Sequence, residues 1–271
     1  MAGGGDKEHR MLFDIRGRRG NVVKVVYAVL ALLMGLSLFI IGGSGSISGI
    51  FGDSNGGSEL SKIAEERAER LETKLVKSPE DPDLLVGLTR ARISAGEASL
   101  TVNPETGEAV PTVETRQQYE KASESWDKYL KATDEPSATA AQLVARALFT
   151  LAQISRTPVE IEANMKAAAD TQELVVEQRP TASSLGTFAL YKTFAFDYAG
   201  AEQAAERVKK LASSKFEREN FENELQQSTR SAKLFEKELA RAKKANQGSG
   251  KESLENLQNP LPGIGGTGLG E

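Results

Sequence analysis

The side chains that could carry chemistry are few. The chain has one histidine, His9, and no cysteine. A thiol nucleophile and a disulfide are therefore excluded, and a lone imidazole at the basic N-terminal end supplies neither a triad nor a histidine metal site to the rest of the chain. Paired carboxylates such as Glu65 and Glu69 share one side of a helix, but that is its solvated side, where general acid–base work has no enclosure. The glycine-rich GIGGTGLG at 263–270 follows no strand and so cannot act as a phosphate-cradling turn. No catalytic, cofactor-binding or metal-ligating residue is expected, and no cofactor.

What remains is the chemistry of recognition. Trp126, Tyr129, Tyr191, Phe194, Phe196 and Tyr198 are large rings at helix-packing spacing, which makes core their first role. In stacked helical hairpins the first helix of each pair lines the concave side. On that basis Arg90, Tyr191, Phe194 and Tyr198 are expected to line a groove for a peptide or helix.

The elements that must position these residues begin with an apolar run, Val22 to Ile41, with Lys24 at its entrance. Twenty helical residues reach about 30 Å, the thickness of a bilayer's hydrocarbon core. Lys7, Arg10, Arg16, Arg18, Arg19 and Lys24 stand before it or at its start, and the next basic residue is Lys62. The positive-inside bias then predicts a single-pass anchor in the cytoplasmic membrane, with residues 1–21 in the cytoplasm and the remainder outside. A cleaved signal is the competing reading. It is disfavoured because the run exceeds an ordinary signal core and no A-x-A-like site follows it. A buried core helix fits the polybasic flank and glycine exit less well still.

Residues 42–58 hold seven glycines and five serines, a composition that predicts a flexible linker reaching about 20 to 25 Å. Residues 246–271, rich in Gly, Pro and polar side chains, are expected to remain disordered, since they cannot bury enough apolar area to offset ordering entropy. Charge is unevenly spread. Residues 54–205 carry 16 basic and 24 acidic side chains, whereas 206–244 carry 11 and 7. An acidic body argues against nucleic acid as a partner.

From residue 59 to 245 the apolar spacing is helical almost throughout. Leu60, Ile63, Ala64, Ala68, Leu71 and Leu75 form one stripe. Asp81, Pro82 and Asp83 open a second helix, expected to end at Gly96. Asn103, Pro104, Gly107 and Pro111 make 97–113 an extended loop or hairpin. Helices are then expected over about 114–132 and 137–154, and from a capping box at Thr157 and Glu160 to about Val176. Thr181 or Ser183 starts another, carrying Leu185, Leu190, Phe194 and Tyr198, which Gly200 turns into the next. Ser214 and Glu217 open a long last helix over 214–245. No segment alternates with period two, so the body is predicted to be all-α.

The helices pair, and the pairs repeat. Gly96, Ala122, Trp126 and Pro136 follow the order of small, alanine, aromatic and closing proline residues in a tetratricopeptide repeat. Ala168 and Pro180 match part of it, and Tyr198, Gly200 and Ala205 match again, while Ala68 and Pro79 look like the second half of a unit whose first helix is missing. Residues 59–213 thus resemble the tetratricopeptide superfamily, which implies a short right-handed solenoid of helical hairpins with 97–113 as an insertion. Met11 to Arg19 and the stretch YEKASESWDKYLKA at 119–132 are also similar to actinobacterial single-pass membrane proteins that carry a few such repeats. That resemblance implies an exported, anchored repeat domain and no particular chemistry.

Together these readings predict a non-enzymatic scaffold or chaperone-like adaptor, held by 22–41 at the outer side of the membrane, with a protein or peptide partner. Two other readings stand behind it. One is a structural envelope component whose basic last helix meets wall polymer or lipid. The other is an enzyme of wall metabolism. The sequence leaves the oligomeric state open.

Overall fold

The computed structural model describes residues 56–248, apart from 104–106 and 108. The expected membrane run at 22–41, the residues before it, the linker up to 55 and the tail from 249 lie outside the described residues. Among those described, no helix is long and apolar enough to cross a membrane. The described part is all-α, eight helices with one minimal two-stranded ribbon.

Helix α1 (Gly56–Leu75) takes in the last three residues of the expected linker. Its apolar stripe is only partly used: Ala68 is fully buried against Leu88 and Ala91, whereas Leu60 and Ile63 at the other end face solvent. Helix α2 (Pro82–Ala98) starts as expected, with the Asp81 carboxylate accepting from the Asp83 and Leu84 amides at 3.0 and 3.1 Å. It does not stop at Gly96. That glycine is buried within the last turn because the Tyr119 ring packs on it, and a Cβ there would fall 2.5 Å from the ring. The small residue is needed for close helix approach, and Ser99 caps the end instead, its hydroxyl donating to the Gly96 carbonyl at 2.8 Å.

The expected loop or hairpin contains β1 (Thr101–Val102) and β2 (Ala109–Val110), antiparallel with Thr101 opposite Val110. Helix α3 (Val113–Ala132) opens with a Thr112–Thr115 box, α4 (Ala138–Ile154) on the Ser137 cap, and α5 (Pro158–Gln178) on the Thr157–Glu160 box. Thr181, not Ser183, caps α6 (Ala182–Phe194) through a reciprocal bond with Ser184. The next turn differs from expectation. It falls at Ala195 to Asp197, with Phe196 at a φ of 62°, so Tyr198 opens α7 (Tyr198–Leu211) rather than closing α6. Gly200 lies inside α7, its amide donating to the Asp197 cap at 2.9 Å. The left-handed backbone of Phe196 is costly for a bulky residue, and packing of its ring 6.2 Å from Phe235 helps hold it in place. Helix α8 (Lys215–Gly248) begins where Ser214 accepts from the Glu217 amide at 3.1 Å.

Consecutive helices pack as hairpins: α2 with α3, α4 with α5, and α6 with α7, with α1 laid on α2. The central core joins Trp126, Tyr129, Val144, Leu148, Phe149, Leu151, Tyr191 and Phe194 around small alanines of α4 and α5. Helix α8 straps across α5, α6 and α7. Phe221 enters a second cluster with Phe188 and Val208, Tyr198 donates to Glu236 at 2.9 Å, and Lys243 pairs with Glu162.

Candidate functional site

An open cleft of about 570 Å³ lies between the end of α1, the α1–α2 turn, α2 and α3. Its apolar wall is Leu75, Val76, Pro79, Leu85 and Leu88. Val76 is 84 % exposed, an apolar side chain left at the mouth. The wall exists because Pro79 and the Asp81 cap bend the chain from α1 into α2 just there.

The polar side is built by α2 and α3. Arg92 is 5 % exposed, on the stripe of α2 that also buries Leu85, Leu88 and Thr89. Its Nη2 donates to Glu72 of α1 at 2.5 Å and its Nη1 to the Gln118 side-chain carbonyl of α3 at 3.1 Å. Gln118 in turn donates to Glu114 at 2.7 Å. The Nε proton of Arg92 is buried and finds no acceptor among the described residues, an unsatisfied donor next to a cleft. The hydroxyls of Thr89 and Ser125 stand 2.9 Å apart, each also within reach of a carbonyl of its own helix, so one donates to its neighbour and the other to its helix.

Lys121, Glu124 and Lys128 edge the cleft from α3. The two lysines are exposed and seven residues apart, two turns or about 10 Å along one helix face. Neither joins an ion pair among the described residues. Arg92, Lys121 and Lys128 against Glu72 and Glu124 leave the lining with one net positive charge in an otherwise acidic body. Chemically, such a lining can hold an anionic group beside an apolar one. It offers no nucleophile with an adjacent base. Among the described residues no cluster of acidic or histidine side chains is placed to hold a metal ion.

The four residues expected to form a groove are not brought together. Tyr191 and Phe194 are core: Tyr191 stacks on Phe149 with ring centres 4.7 Å apart, and Phe194 tilts on the same ring at 5.8 Å. Burial pushes the Tyr191 phenol well above its ordinary range. The face that carries them turns into the central core with α4 and α5, so the side assumed to be concave is closed. Tyr198 is half-buried under α8, with Lys233 over its ring at 5.3 Å. Burial, aided by Glu236, raises its phenol too. Arg90 is exposed on α2, where its Nη2 donates to Ser137 at 3.3 Å. The residues missed are Arg92, Lys121 and Lys128. A signal for Arg92 was present: the spacing Leu85, Leu88 or Thr89, Arg92, Gly96 sets an arginine on a buried stripe.

By fold and lining the protein falls in the class of all-α helical-hairpin proteins with an open polar–apolar cleft. No family model, curated protein or solved structure matches the chain.

Proposed function

We propose that the protein is a non-enzymatic, membrane-anchored interaction module in which the α1–α3 cleft receives a protein or peptide partner. The observation that carries this reading is the cleft itself, an exposed apolar wall facing a cationic edge on a frame of packed helices. Pockets with an apolar wall and a few convergent polar groups are the default binding sites of a fold. The hairpin pairing of α2–α3, α4–α5 and α6–α7 supports a kinship with tetratricopeptide solenoids, and the run at 22–41 supports a single span with the body outside the cytoplasmic membrane. Tethering would act through effective concentration, confining partners to the membrane zone.

The test is a photo-crosslinkable residue at position 121 or 128 of the full chain in its native membrane. A discrete adduct is expected at both positions and none at exposed Lys166 on α5. Equal labelling at all three positions overturns the reading. Protease added to spheroplasts should cut near Lys121 while sparing the segment around Arg18, and the reverse pattern overturns the topology.

A second reading, attachment of α8 to wall polymer or lipid, is favoured by Arg218, Arg230 and Lys237, which stand outside the ion pairs formed among the described residues. Salt-sensitive sedimentation of the full chain with wall material would support it, and no binding at low salt would eliminate it.

A further inference from the structure

Arg92 is held in a way that suggests what the cleft accepts. A guanidinium presents a planar fork that suits a carboxylate in bidentate fashion. Here Glu72 touches it through a single oxygen on Nη2, Gln118 occupies Nη1, and the buried Nε proton is left over. Glu72 itself is 47 % exposed and lines the mouth, so it reaches in from solvent rather than being packed in place. Such a carboxylate gives up its contact at little cost, because water can replace what it loses. The guanidinium cannot do the same, since an uncompensated buried charge is strongly unfavourable. The site therefore exchanges one carboxylate for another far more readily than it empties.

We propose, building on the interaction-module reading, that the cleft recognises an acidic peptide segment whose carboxylate displaces Glu72 from Arg92. Leucine-like side chains of the segment lie against Leu75, Val76 and Pro79, and a second acidic residue meets Lys121 or Lys128. Glu72 then acts as a built-in competitor that fills the site in the free protein. Charge decides the occupant: a basic segment would meet Lys121 and Lys128, which outnumber Glu124 between them, and a purely apolar one would leave the lysines unmatched beside a desolvated arginine.

The experiment uses the full chain in detergent and a short fluorescein-labelled peptide of glutamate, leucine and alanine, compared with a twin carrying glutamine for glutamate. Anisotropy titrations should show the glutamate peptide binding at least about tenfold tighter than its twin, with affinity falling as salt rises. Glu72→Gln weakens the competitor and should tighten binding by about tenfold, the equivalent of one charge-assisted hydrogen bond. Reversal of the exposed lysines, K121E with K128E, should weaken it by a similar factor. Circular dichroism of each variant checks the fold. A role for Glu72 confined to stability predicts no gain in affinity on Glu72→Gln, so an unchanged or weaker affinity overturns the displacement. Equal binding of the two peptides overturns the acidic ligand. If either happens while position 121 still yields a discrete crosslink in native membranes, the interaction-module reading stands and this one falls. Loss of both results removes both.

Discussion

The two halves of the body are built on different physics. In α1 to α3 the interior mixes polar with apolar: beside Leu85, Ile93 and Trp126, the side chains of Thr89, Arg92, Thr115, Gln118 and Ser125 are buried and bond to one another or to side chains of the adjoining segments. In α4 to α7 it is drier and close-packed, with Thr171, Gln172 and Thr193 as its buried polar side chains. Ala140, Ala141, Ala145, Ala168 and Ala169 bring helices together, and Phe149 is sandwiched with Tyr191 and Phe194. A polar interior specifies one geometry because every donor must find its acceptor, but it adds little net stability. A dry interior is the reverse. The contrast teaches that the second half is the more uniformly packed frame, with the cleft opening where buried hydrogen bonds share the packing of the helices.

The largest blow to that contrast would come from Phe149→Ala, which empties the centre of the dry half. Chemical denaturation should register a loss of about 3 to 5 kcal/mol, and a loss no greater than that from Ser125→Ala in the polar half would end the distinction. Gly96→Ala follows, at about 1 to 3 kcal/mol, because the new methyl group meets the buried Tyr119 ring, which has nowhere to move.

Glu224 of α8 sharpens the comparison as the exception on the dry side. Burial pushes its carboxyl up to about 7. Folded and unfolded chains both hold the proton at low pH. As pH rises through the window from 4.5 to about 7 the unfolded chain releases it first, so stability declines over that window and the deficit is complete above it. Glu224→Gln should remove this decline and raise stability by about 1 kcal/mol near pH 8, after discounting for partial solvation. Thermal melts across pH check it, and a parallel decline in the variant contradicts it. The smallest effect is Gly87→Ala. There the added methyl sits at ordinary contact, 3.6 Å from Leu71, inside a helix, so a gain of about 0.5 to 1 kcal/mol is expected. The opposite signs at two glycines of one helix separate close approach from helix propensity.

Much of this architecture was legible beforehand. Asp81, Ser137, Thr157 and Thr181 mark helix starts through bonds made within three residues, so local chemistry suffices. Glycine was the weak guide. In sequence Gly96 resembles a stop and Gly200 a turn, yet both are interior to helices, one under the Tyr119 ring and one beside the Asp197 cap. The site was less legible than the fold. Tyr191 and Phe194 look like groove or core alike in sequence, since periodicity assigns a face to a helix but does not say what covers it.

Helix number, most helix starts and the uneven charge were determined by the sequence alone, because each depends on contacts a few residues apart or on composition. Only the tertiary structure decided that Tyr191 and Phe194 turn into the core against Phe149, that Arg92 rests between Glu72 and Gln118, and that the opening lies at α1 to α3. Those outcomes join residues 20, 26 and more positions apart, and which of several apolar faces finds a partner is settled by the packing of the whole chain.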